Sequence, residues 1–281
     1  MKRREMLQTL GTAVLAWPLA GRICFAAQKR RKLLFFSRSV LFEHSTVHRE
    51  DGALSFAEKQ FIDLGRQAGW EIDCTKDGDV FDGDLSPYAA IAAYSCGAAN
   101  DLMKPDGLDG SRPVTANGVR RLREAIRAGA GFLAVHPGIL LLPDVIGAGC
   151  IGHGAQQVGT MSVVSPRFPG VEKLGPSFSI LEEWFALKDF ARDLHVILAQ
   201  DPSGMHKDGP LDQIYDRPTY PATWARMHGK GRVFYTSMGH REDVWTRKIF
   251  QSVLLGGLAW CTGDVDVDVS PNIDQVTPQA T

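Results

Sequence analysis

The sequence predicts an α/β protein on a doubly wound, mostly parallel sheet, with an inserted extended region after the fourth strand. Two observations carry that prediction. Short apolar runs framed by Gly, Pro and Asp recur along the first half of the chain, as buried parallel strands do. Between them lie longer stretches with apolar residues at helical spacing, and that alternation is the signature of a parallel sheet with helices on its faces.

The elements follow in order. KLLFFSR (32–38) reads as the first strand and is followed by the loop LFEHSTVH with His44. Phe56, Phe61 and Leu64 share one helical face over 55–69, and Gly69 ends that helix. Trp70 to Cys74 is a second strand, and Ala89 to Tyr94 a third that runs into Ser95-Cys96-Gly97. After a Gly/Pro/Asp-rich loop, Thr115 is placed to cap a helix through Ala128, whose arginines form a wet face. Phe132 to Val135 is the fourth strand and stops at His136-Pro137-Gly138. Beyond 140 glycine and proline are frequent, and the runs 159–164, 178–181 and 194–199 suggest extended structure laid over the sheet. GRVFYTSMGH (231–240) restores the strand pattern and ends in Gly239-His240, and a helix over about 245–260 carries Phe250, Val253, Leu254 and Leu258. The end of the chain is polar and is expected to be loose, with Asp264, Asp266 and Asp268, which alternate with valine, in an edge strand or a solvated tail.

Composition narrows the class. The chain has 281 residues, 44% hydrophobic and 22% charged, with a net charge of -1, so it can bury a large core and carries no block of charge suited to nucleic acid. Lys2-Arg3-Arg4 precedes an apolar stretch from about Leu10 to Leu19, as in a bacterial twin-arginine export signal. That stretch is short for a membrane span and holds Pro18. Small residues put cleavage near Ala26 or Ala27. The expected organisation is a signal peptide over 1–26, a basic linker over 27–31, one domain over 32–262 and a polar tail over 263–281. The mature protein would be periplasmic or secreted, with no stable membrane span. Cys74, Cys96, Cys150 and Cys261 form no CxxC pair, so neither a zinc knuckle nor a redox motif is visible.

The candidate site rests on histidines at strand ends. His136 and His240 close two strands and His44 follows a third, so a parallel sheet puts all three on one edge, where open α/β sheets bind ligands. His153 lies in the loop after the fourth strand, and Glu182-Glu183-Trp184 follows the run FSIL. Histidines with a carboxylate on separate loops suit a divalent metal such as zinc or manganese. They suit metal-free acid–base chemistry equally, and plain structural hydrogen bonding is the third reading. The expected metal ligands are His136, His153, His240 and Glu182, and the expected catalytic groups His136, His240 and Glu183. Trp184 and Trp224, with Trp245, are candidate sugar-stacking rings. His195, His206 and His228 follow no pattern, and Arg232 falls at the wrong end of its strand for the crevice.

From Lys32 to Trp260 the chain resembles the trehalose-utilisation (ThuA-like) family. The resemblance rests on His44, on AGAGFLAVHPG with His136, on His153, on LEEW, and on PATWARMHGKGRVFYTSMGH with Trp224, Gly229, Gly231, Arg232, Tyr235 and His240. It implies a flavodoxin-like, class I glutamine amidotransferase-like fold. It also implies a sugar ligand held by residues such as His44, Trp184, Trp224 and Tyr235. His136 stands where those amidotransferases carry their cysteine, so no nucleophile for that reaction is present. Two departures stand out: Glu182-Glu183-Trp184 replaces the usual Asp-Glu followed by Tyr, and Gly129-Ala130-Gly131 replaces three glycines. The implied role is carbohydrate catabolism. The expected activity is processing of oxidised, 3-keto glycosides by acid–base or metal-assisted elimination or hydrolysis, with no nucleotide cofactor. The competing reading is a non-catalytic periplasmic sugar-binding protein.

The export signal is directly testable. Replacing Arg3 and Arg4 together with lysine should leave precursor in the cytoplasm, because the receptor reads the guanidinium pair rather than charge. Normal export of that variant would point to the general secretory route.

Overall fold

A computed structural model describes residues 31–280. The export signal, with Arg3, Arg4 and the cleavage region, lies outside the described residues, as does most of the basic linker. The first five strands of the architecture are β1 (Arg31–Phe36), β2 (Trp70–Thr75), β3 (Tyr88–Ala93), β4 (Gly131–Val135) and β5 (Gly149–His153). They are followed by β6 (Gln157–Val163), β7 (Ser177–Glu182), β8 (Phe185–Lys188), β9 (His195–Asp201), β10 (Tyr220–His228) and β11 (Gly231–Thr236). Nine of them form one sheet in the order β2-β1-β3-β4-β11-β10-β9-β6-β7, while β5 and β8 pair as a separate ribbon. From β2 to β11 every pairing is parallel, and from β11 to β7 every pairing is antiparallel.

The parallel half forms for the reason its sequence suggests. Its central strands are apolar on both faces: Phe132, Leu133, Ala134 and Val135 of β4 are all fully buried. One face packs on the helices Phe56–Ala68 and Lys248–Cys261 through Phe61, Leu64, Val253, Leu254 and Leu258. The other packs on the helix Ala116–Ala128 through Leu122 and Ile126. Both N-termini are capped. Ser55 Oγ accepts from the Glu58 N–H while the Glu58 carboxylate accepts from the Ser55 N–H, and Thr115 Oγ1 accepts from the Gly118 N–H at 2.8 Å. Such caps contribute about 1 kcal/mol each.

The stretch after β4 departs from expectation. Rather than lying over the sheet, β6, β7, β9 and β10 widen it edgewise. β10 was not anticipated, because Pro221 interrupts its pattern; proline is tolerated there because the register with β9 shifts between Pro221 and Thr223. The C-terminal segment is docked rather than loose. Val265, Val267 and Val269 pack on the core, and Arg232 donates to the Trp260 and Val265 carbonyls at 3.2 and 2.9 Å. Asn272 accepts from the Val196 N–H at 2.6 Å, and Ile273 is buried. Alternating valines thus pay for the ordering that the intervening aspartates alone would not. No helix among the described residues is long and apolar enough to cross a membrane.

The turn after β4 is tightly confined. A Cβ on Gly138 would lie 2.1 Å from the Ala93 carbonyl oxygen at the end of β3. Gly138→Ala should therefore cost about 1–3 kcal/mol, read as a lower Tm. An unchanged Tm would contradict this contact between neighbouring strand ends.

Candidate functional site

The C-terminal ends of β1, β3, β4 and β11 lie on one edge of the sheet, and each sends a residue to one point. The loop after β1 carries His44. It is fixed by Arg38, which is fully buried and donates to the carbonyls of Leu102 and Lys104 at 3.2 and 2.7 Å. Lys76 fixes it further, with Nζ 2.8 Å from Glu43 Oε1 and 3.2 Å from Asp109 Oδ2. Cys96 follows β3, and its Sγ lies 3.3 Å from His44 Nδ1. Burial pushes the Cys96 thiol up to about 12, so it is a neutral neighbour of the imidazole. His136 follows β4 with φ 47°, in the left-handed region, where a non-glycine residue costs of order 1–3 kcal/mol and persists only if its surroundings hold it. Phe185 stacks on its ring at 4.3 Å. Gly239, with φ 119°, turns the chain after β11 to present His240.

The carboxylate comes from the other half of the molecule. β7 is the far strand of the sheet, yet its last residue, Glu182, reaches the β11 turn. Its oxygens accept from the N–H groups of Gly239 at 2.9 Å, His240 at 3.1 Å and Glu183 at 3.1 Å. Burial raises Glu182 to about 7 against those three donors. Glu183, one residue on, projects into the crevice. Its Oε2 lies 3.8 Å from His44 Nε2, 3.3 Å from His136 Nε2 and 3.2 Å from His240 Nδ1, and its Oε1 lies 3.3 Å from His153 Nδ1. One ligand atom from each of His44, His136, Glu183 and His240 falls within a span of 4.8 Å.

Hydrogen-bond roles show what this point can hold. His136 Nδ1 is 2.8 Å from the Ser237 carbonyl, which can only accept, so Nδ1 carries the proton. The Nε2 lone pair of the neutral ring then faces a carboxylate oxygen, and Nε2 makes no hydrogen bond although it is buried. His240 Nδ1 is also buried and without a hydrogen bond, but its Nε2 accepts from the Gln156 amide N–H, so the neutral ring carries its proton on Nδ1, toward Glu183, and that proton must leave before Nδ1 can hold a cation. Two acceptors facing each other in a dry site need a proton or a cation between them. Burial works against the proton: it pushes His136 down to about 3 and lowers His44. For Glu183, burial raises the carboxyl, while hydrogen bonds from His136, His240 and His44 lower it further, a lowering that requires a proton on the imidazole side or a cation in its place. Three imidazoles and one carboxylate fit a divalent cation, and donors about 2 Å from one ion lie roughly 3–4 Å from each other, as Glu183 Oε2 does from His44, His136 and His240.

With the geometry in place, the comparisons are informative. The family model described as trehalose utilisation matches residues 33–261. The chain belongs to the ThuA family. Among solved structures, a ThuA-like protein from Parabacteroides merdae superposes with TM-score 0.62 at 16% identity, over 86% of this chain and 93% of that one. A second, from Bacteroides uniformis, gives 0.61 at 18% identity over 88% and 95%. A cytoplasmic protein from Salmonella typhimurium gives 0.53 at 14% identity over 82% and 98%. At these identities the likeness is one of fold. No curated protein matches the chain.

Within this ThuA-family site several sequence expectations are corrected. Glu182 is no candidate ligand, because its oxygens are taken up by three backbone donors; Glu183 faces the imidazoles instead. His153 Nδ1 is also 3.1 Å from the Gly154 carbonyl, so it carries a proton and donates, orienting Glu183 rather than joining a cation. His44, expected to touch sugar, stands among the candidate ligands. Trp184, Trp224 and Tyr235 are fully buried and offer no ring face to a ligand. The Trp184 and Trp224 indoles donate to the carbonyls of Gln157 and Ile146, and Tyr235 packs on Trp224. Trp245 is likewise buried and donates to the Gly239 carbonyl. Sequence reasoning missed Gln156, whose Nε2 is 2.8 Å from His240 Nε2 and whose Oε1 accepts from Arg241. It also missed Ser237, which acts through its carbonyl and so leaves no mark in its side chain.

The geometry makes a ligand-by-ligand prediction. His44→Ala and Glu183→Gln should lower retention of a divalent metal by more than tenfold, at or beyond the 10–100-fold typical of residues that merely orient a ligand. His153→Ala should retain metal within that orienting range. Elemental analysis of the purified variants checks this, and loss of metal in His153→Ala alone would restore the ligand set expected from sequence.

Proposed function

We propose that this ThuA-family chain is an exported enzyme of carbohydrate catabolism that processes 3-keto glycosides by elimination or hydrolysis. The observation that carries the reading is the pair of facing acceptors, His136 Nε2 and Glu183 Oε2, inside a buried ring of imidazoles. His44 Nε2, His136 Nε2, His240 Nδ1 and Glu183 Oε2 would hold a divalent cation, zinc or manganese. Such a cation would supply Lewis-acid polarisation of a ketone oxygen. A ketone at C3 acidifies the C2 proton. His153 is placed to take it: its Nδ1–H is committed to Glu183 and the Gly154 carbonyl, which leaves Nε2 as the basic nitrogen on a half-exposed ring. The C2–H electron pair then forms the C1–C2 double bond, and the C1–O bond breaks. The departing alkoxide leaves as the alcohol by taking a proton from the imidazolium or from water. Adding water across the double bond completes a net hydrolysis.

The remaining parts of the reading rest on sequence. The Arg3-Arg4 signal supports export and a periplasmic or secreted location, with the mature domain spanning 32–262. The strand order β2-β1-β3-β4-β11 and the left-handed turn at His136 support a class I glutamine amidotransferase-like ancestry, with the segment after β4 as an insertion. The buried, neutral Cys96 on a different strand supports the absence of amidotransferase activity.

Purified mature protein should contain one divalent metal per chain and release alcohol from methyl 3-keto-glucosides. A chelator should abolish turnover and added zinc or manganese restore it. Binding of those glycosides without turnover, unaffected by the chelator, would favour a sugar-binding protein.

A further inference from the structure

The five tryptophans among the described residues are all buried, so the aromatic surface for a sugar must lie elsewhere. Of the described Phe, Tyr and Trp side chains only one is well exposed. It is Phe42, 38% exposed, two residues before His44. Its ring stands edge-on to the His44 imidazole, with centroids 5.1 Å apart and planes at 82°. The neighbouring Leu41 is 56% exposed. The platform is held in place from below. The Val40 and Leu41 N–H groups donate to the Cys96 carbonyl at 3.1 and 3.4 Å, tying the loop to the end of β3.

We infer that Phe42 is the stacking face of the site, on which a pyranoside bound at the His/Glu cluster lays its apolar face, with Leu41 extending the surface. This rests on the glycoside reading above. A lone exposed ring is ordinary on a protein surface; this one is set apart by its edge-on contact with the His44 imidazole, one of the candidate ligands. Two side chains are far too little for a protein partner, whose interface needs roughly 800 Å² on each side. The surroundings select the ligand further. Glu43, between Phe42 and His44, is ionically paired with Lys76 at 2.8 Å and accepts a hydrogen bond from His48 Nδ1 at 2.7 Å. An apolar face beside charged hydrogen-bonding groups matches a ligand with one apolar face and a hydroxyl-rich edge, which describes a pyranose ring.

The test titrates metal-loaded full-length mature protein, and its Phe42→Ala and Phe42→Trp variants, with methyl 3-keto-α- and β-glucosides, followed by NMR. Wild type should bind with upfield shifts of the sugar C–H resonances, the mark of a ring face against them. Phe42→Ala should bind about tenfold more weakly and lose the shifts, with metal content and Tm unchanged. Phe42→Trp should bind at least as well as wild type. Unchanged affinity and shifts in Phe42→Ala would overturn the stacking role and leave the glycoside reading standing. Loss of metal along with affinity would make Phe42 a support for His44 and overturn it also. If wild type binds neither glucoside, the glycoside reading fails and the stacking role fails with it.

Discussion

The site is organised around one constrained charge. Glu183 is almost fully enclosed, and four imidazoles meet its oxygens, of which burial drives His44 and His136 toward neutrality. A buried carboxylate without compensation is among the costliest arrangements a fold can keep. The surrounding structure is arranged to hold this one in place. Glu182 pins the Gly239–His240 turn, the Ser237 carbonyl sets the tautomer of His136, Phe185 stacks on its ring, and His153 fixes the second Glu183 oxygen. All of these partners lock geometry without neutralising the charge. A divalent cation would supply what they leave out, and His136 reaches this point only through a strained left-handed backbone.

The division of labour follows from topology. Parallel strands bring residues far apart in sequence to one edge, and three of the four candidate ligands come from loops on that edge. The fourth arrives from the antiparallel half, along with the β5–β8 ribbon that carries His153 and Phe185. The mixed sheet is therefore more than a scaffold. Its antiparallel extension delivers the carboxylate and the rim, while the parallel core delivers the imidazoles. The rim is where variation costs least, since Phe42, His153 and Gln156 sit outside the core.

Much of this was legible in the sequence. Apolar runs ending in His136 and in Gly239-His240 gave both the strands and the shared edge, because the C-terminal ends of parallel strands all lie on the side where open α/β sheets bind ligands. The assignment of Glu182 and Glu183 was not legible. Successive side chains at a strand end point to opposite sides, so a one-residue difference decides which carboxylate meets the histidines and which meets the backbone, and LEEW reads the same either way. The tryptophans misled because an aromatic near a strand end serves equally as a lid or as core, and only burial separates the two. Phe42 carried no periodic signal at all. β10 was hidden by Pro221, and the docked C-terminal segment by its aspartates.

The central claim is that three imidazoles and one carboxylate form a single metal centre. X-ray absorption of the zinc-loaded protein tests it most directly, since it reads the donor atoms themselves. The account predicts a four-donor environment at about 2.0–2.1 Å, with the outer-ring scattering of three histidines. A spectrum with all-oxygen donors, or with one imidazole or none, would contradict it.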